Sequence, residues 1–116
     1  MDVEWVRRLC LAMPHVTESV QWGDNLVFKV AGKIFAIASL EPGPTWLSFK
    51  CSEEEAAELV ERPGIIPAPY LAKSHWVALE TRGALPAAEL RRLLKRSYEL
   101  VVAKLPAKTR AAMGAK

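Results

Sequence analysis

The sequence predicts an α+β fold in two layers, an antiparallel sheet with helices packed on it, in the order α-β(3)-α-β(2)-α. Three observations carry this prediction. Val6, Leu9, Cys10 and Met13 recur at helical spacing early in the chain, and Leu90, Leu93, Leu94, Tyr98, Val101 and Leu105 do so late. Between these two stripes, residues 26–30, 33–40, 45–51 and 75–80 alternate as strands do. Turn chemistry separates them, at Ala31-Gly32, at Glu41-Pro42-Gly43-Pro44 and at Thr81-Arg82-Gly83. With 116 residues, 51% of them hydrophobic, the chain suits one domain over residues 1–116 with one core.

Residues 2–13 make the first predicted helix, with Asp2 as N-cap and Pro14, which has no amide to donate, ending it. Cys10 sits on the apolar stripe and reads as a small, inert core residue. His15 reads as a turn residue. Polar residues interrupt the pattern over 16–25, VTESVQWGDN, which closes on Gly23-Asp24-Asn25 and reads as a turn-rich lead into the sheet. Residues 26–30 and 33–40 then pair as a hairpin, Gly32 taking a positive φ. Strict alternation puts Leu26, Phe28 and Val30 on one face of the first strand, with Val27 and Lys29 on the other. It groups Ile34, Ala36, Ala38 and Leu40 on one face of the second strand and Phe35 and Ile37 on the other. Both sheet faces are therefore partly apolar, and a helix or another subunit is expected to cover part of the second.

The third strand, 45–51, sets Thr45, Leu47, Phe49 and Cys51 against a mixed face of Trp46, Ser48 and Lys50. Ser52-Glu53-Glu54-Glu55 matches a capping box opening a helix to residue 62, so its acidic run is assigned to helix initiation and not to catalysis. Pro63, Pro67 and Pro69 make residues 63–72 a rigid loop anchored by Ile65 and Ile66, with room for a short strand within 67–72. Residues 75–80 read as a strand, His75, Val77 and Leu79 on one side and Trp76, Ala78 and Glu80 on the other. Pro86 opens the last helix, 86–105, whose outer side carries Arg91, Arg92, Lys95 and Arg96. Pro106 stops it, leaving 107–116 as a frayed basic tail.

The charge of +3 is unevenly spread: residues 1–61 carry five Lys/Arg against ten Asp/Glu, and residues 62–116 carry eleven against three. Such asymmetry fits either a basic surface for an anionic partner or a solvated helix face. The chain holds no Gly-rich phosphate loop, CxxC, HExxH or GxSxG pattern. Its two histidines, His15 and His75, have no carboxylate at ligand spacing, so no enzyme activity, metal or cofactor is expected. Two cysteines far apart and a polar start to the chain suggest a reduced, cytoplasmic protein, and no apolar run reaches the ~18 residues of a membrane span.

Several blocks together resemble the MmcQ/YjbR family of small bacterial proteins. They are LCLAMPHVTE at 9–18, WGD at 22–24, LVFKV at 26–30, KIFA at 33–36, LSFKC at 47–51, PGIIP at 63–67, KSHW at 73–76 and SYELVVAKLP at 97–106. The resemblance implies an α-β(3)-α-β(2)-α domain with a topology like that of type III secretion chaperones, and a DNA-binding role of the double-wing kind without catalytic residues. On that reading Lys73, His75, Trp76 and Arg82 and the row Arg91, Arg92, Lys95 and Arg96 are the candidate nucleic-acid contacts. The alternative is a protein-binding or small-ligand module, or a self-associating one, using an apolar sheet face and a groove marked by Trp46, Tyr70 and Trp76.

Overall fold

The computed structural model describes residues 1–69 and 71–114. It is an α+β fold: a six-stranded antiparallel sheet with helices on one face. In chain order the elements are α1 (Val3–Leu11), β1 (Val16–Gln21), β2 (Asn25–Val30), β3 (Lys33–Ser39), β4 (Leu47–Lys50), α2 (Glu53–Leu59), β5 (Ile65–Pro67), β6 (Trp76–Leu79), α3 (Ala87–Ala103) and α4 (Ala107–Ala112). A single 3-10 turn, Ala72–Ser74, precedes β6. The sheet order is β1-β2-β3-β4-β6-β5.

α1 and α2 start at side-chain caps, and α1 and α3 carry apolar stripes. Asp2 accepts from the Trp5 amide at 2.8 Å, and Ser52 and Glu55 close the expected capping box. Pro86 stands as the N-cap of α3, one residue outside the helix. Leu90, Leu93, Leu94 and Val101 of α3 meet Phe28, Phe35, Phe49 and Leu79 of the sheet in one core, joined by Val6 and Cys10 of α1 and Leu59 of α2. The turn of the β2–β3 hairpin has Ala31 at φ 51° and Gly32 at φ 79°, the pair of positive values a two-residue primed turn requires.

The structure corrects the sequence reading at several points. Residues 16–21 are a strand, not a lead-in: β1 pairs with β2 along its whole length, from Val16 opposite Val30 to Gln21 opposite Asn25. Its polarity misleads because Glu18, opposite core residue Phe28, points to the helix layer, where Arg7 of α1 grips its carboxylate with contacts of 2.7–3.0 Å. In β3 a register shift leaves Phe35 without a partner in β2. Phe35 thereby joins Ala36 and Ala38 in the helix-side core, and Ile34 and Ile37 pack on the opposite face. Trp46 likewise leaves the mixed face for that core, its Nε1 donating to the Thr81 carbonyl at 3.0 Å.

The short extra strand lies at Ile65–Pro67, ahead of the expected 67–72 window, and pairs with β6. His75 precedes β6 instead of belonging to it, at φ 65° as the cap of the 3-10 turn. The tail is not frayed over 107–112: it forms α4, and the His15 ring nitrogen Nε2 hydrogen-bonds the Met113 carbonyl at 2.7 Å. The second sheet face is covered in part by the chain's own segment between β5 and β6. Ala68 and Leu71 of that segment pack on Trp76, Ala78 and Ile37.

Candidate nucleic-acid interface

The basic residues singled out in the C-terminal half do not gather on one surface. Lys73 lies in the 3-10 turn before β6, while Arg82 lies beyond the other end of that strand, its guanidinium 4.9 Å from the centre of the Trp46 ring. Arg91 sits over Trp5 of α1 at 5.7 Å. Arg96 reaches the opposite neighbour, Glu55 of α2, at 3.5 Å, and Arg92 approaches Glu89 at 3.9 Å. Lys95 is exposed. The row spans an arc of about 140° on the outer side of α3, its Arg91 edge turned to α1 and its Arg96 edge to α2.

The groove residues divide as well. Trp46 is core on the helix side, Trp76 is 6% exposed on the other face, and Tyr70 lies outside the described residues. An apolar groove does exist on the second face, about 500 Å³ between Trp22, Ile37, Thr45, Ala68 and Leu71. Trp22, at its edge, is 63% exposed.

A different set of cations does converge. Lys33 from the start of β3, Lys50 from the end of β4 and Lys104 from the end of α3 line one cavity of about 270 Å³, together with Ser74. Its apolar walls are Ile34, Trp76, Val101, Leu105 and Pro106. Neighbouring elements hold these groups in place. Lys50 pairs with Trp76 across the β4–β6 ladder, and the Lys50 ammonium donates to the Ser74 carbonyl at 2.9 Å. Ser97 of α3, fully buried, donates its hydroxyl to the Lys50 carbonyl and so ties the helix to this end of the sheet. Two more lysines flank the cavity: Lys73 is next in sequence to Ser74, and Lys29 stands opposite Ile34 in the ladder.

Among the described residues none of these five lysines makes an ion pair. Burial, and then the Lys104 charge, hold the Lys50 ammonium below the ordinary lysine range. Three cations at one cavity without a carboxylate favour an anionic guest, whose charge offsets their mutual repulsion. The sequence reading missed them because Lys29, Lys33 and Lys50 belong to the half of the chain with a net negative count. The signal that finds them is positional: all three stand at one end of the sheet once the meander is paired.

The thiols do not add reactivity. Cys10 and Cys51 are free and buried, and burial pushes each thiol up to about 12. Among the described residues no three His, Cys, Asp or Glu side chains are grouped to hold a metal ion, and no helix is long and apolar enough to cross a membrane.

Comparison with known proteins agrees with this architecture. A solved Deinococcus radiodurans protein, DR2400, superposes with a TM-score of 0.89 at 33% identity, covering 99% of this chain and 89% of its own. A Pseudomonas syringae protein shares the fold with a TM-score of 0.70 at 23% identity, over 86% of this chain and 98% of its own. Among curated sequences, the uncharacterized protein YbdF of Escherichia coli O157:H7 is 32% identical over 102 residues, 85% of this chain and 83% of that protein. The uncharacterized protein YjbR of Escherichia coli K12 is 29% identical over 114 residues, 95% of each. A family model described as YjbR matches residues 11–100, and the chain belongs to the YjbR family.

Proposed function

We propose that this chain is a non-catalytic nucleic-acid-binding protein that holds the phosphate backbone with the lysine-lined end of its sheet. The observation that carries the reading is the convergence of Lys33, Lys50 and Lys104 on one cavity, flanked by Lys29 and Lys73, with no carboxylate paired to any of them among the described residues. Lysines are point donors to phosphate and carry no base code of their own, so binding of this kind is tolerant of sequence and steep in salt.

The test is a titration of fluorescent oligonucleotides by anisotropy at several salt concentrations, using the chain and its Lys33→Gln, Lys50→Gln, Lys104→Gln variant. Each phosphate contact contributes about 0.7–0.9 to the slope of log affinity on log salt, so losing three flattens it by about 2–3. An unchanged slope and affinity, with the variant folded, would remove the proposal.

A further inference from the structure

Phosphate contacts explain the lysines but not what lies beneath them. Ile34, Trp76, Val101, Leu105 and Pro106 wall the cavity, and its polar groups come from the three lysines and Ser74. Trp76, Val101 and Leu105 are core residues at 6%, 7% and 5% exposure, so the apolar surface open to a guest is mainly that of Ile34 and Pro106, which phosphate alone would leave in water. The cavity asks for a guest with an apolar, flat body and an anionic group beside it. At about 270 Å³ it lies at the small end of ligand pockets, room for one heterocycle and not for a base pair flanked by two backbones. The Lys50 ammonium is already held by the Ser74 carbonyl at 2.9 Å, so the arrangement is set before any guest arrives.

We infer that this cavity is a subsite for one unpaired nucleobase, so that the favoured ligand is single-stranded nucleic acid, its phosphates on Lys33 and Lys104 and a base against Ile34 and Pro106 at the edge of Trp76. The inference rests on the nucleic-acid reading above but adds a base and a strand state that phosphate binding does not require. Insertion into an apolar, aromatic-edged site tolerates sequence, since every base has an apolar face. A base held inside a duplex is unavailable to it without unstacking.

The deciding experiment compares three probes with the unmodified chain at one salt concentration: an oligothymidylate dodecamer, a dodecamer of the same phosphates with abasic residues throughout, and a blunt duplex of the same length. The oligothymidylate is expected to bind about tenfold or more tighter than the abasic strand, and tighter than the duplex. Ile34→Glu, checked for folding by circular dichroism, is expected to erase the preference for bases, since Ile34 is partly exposed on the cavity wall. Equal binding of thymidylate and abasic strands overturns the base subsite while leaving phosphate binding intact, and so does tighter binding of the duplex. A base preference that survives in folded Ile34→Glu overturns its assignment to this cavity. No binding of any probe removes both readings, and displacement of the thymidylate strand by dodecyl phosphate without base preference reassigns the cavity to an amphiphilic anion.

Discussion

At the residue scale, Phe35 shows how one position departs from a pattern that holds around it. Strand alternation puts it opposite Ala36 and Ala38, on the second face. The register shift between Phe28 and Lys29 turns it instead into the helix-side core, fully buried, with its ring edge-on to Tyr98 at 5.7 Å and 87°. The signal was present in composition, since a phenylalanine among alanines is the residue most worth burying, but alternation cannot register an extra residue. Trp46 and His75 escaped because alternation was carried back past the strand starts: β4 begins after Trp46, and the φ of 65° at His75 ends one element and keeps it out of the next. Phe35→Ala is expected to destabilise the fold by about 3–5 kcal/mol, the range for emptying a buried aromatic site. Urea unfolding checks it: the midpoint should fall with the slope on denaturant unchanged, and a loss below about 1 kcal/mol would mean that the ring is not core.

At the element scale, α1, α2 and α3 were legible because their starts are marked in their own residues, whereas α4, with no side-chain cap, was read as a frayed tail. Asp2, the Ser52–Glu55 box and Pro86 all stand within one residue of where sequence places them. β1 was not legible, because none of its residues is buried and its pairing partner lies outside it. Glu18 is tolerated facing α1 only through Arg7, whose Nε and terminal nitrogen contact both carboxylate oxygens. The hydrogen bond from Arg7 lowers the Glu18 carboxyl below 4.5, against the opposing effect of desolvation, and Arg62 does the same for Glu89 of α3. The sign follows from the direction. A depressed carboxyl in the folded state stabilises it at pH above the ordinary glutamate value, and that contribution is lost as pH falls through the depressed one. Arg7→Gln should therefore reduce stability at neutral pH and leave it less sensitive to acid below about pH 4.5, with Arg62–Glu89 retaining part of the dependence. Thermal unfolding from pH 7 to pH 3 reads this directly, and parallel curves for the two proteins would contradict it.

At the scale of the whole molecule, the two-layer fold was legible from periodicity, whereas the candidate site was not, because charge was counted along the chain and the site is assembled across it. Cutting the sequence at residue 61 gives a basic half whose arginines fold onto Trp5, Trp46, Glu55 and Glu89, and an acidic half that contributes Lys29, Lys33 and Lys50 to the lysine-lined end. Pairing strands in a meander brings residues from distant turns to one edge, which no one-dimensional count contains. The two sets of cations make opposite forecasts. Changing Arg91, Arg92, Lys95 and Arg96 to Gln removes four charges, one more than the Lys33, Lys50, Lys104 variant, so a response to net charge alone makes the arginine variant the weaker binder. Contact at the lysine-lined end makes the triple-lysine variant weaker despite its smaller loss of charge, with the flatter salt dependence confined to it. Side-by-side anisotropy titrations at two salt concentrations decide between them, and an arginine variant that binds less tightly than the lysine variant returns the contact surface to α3.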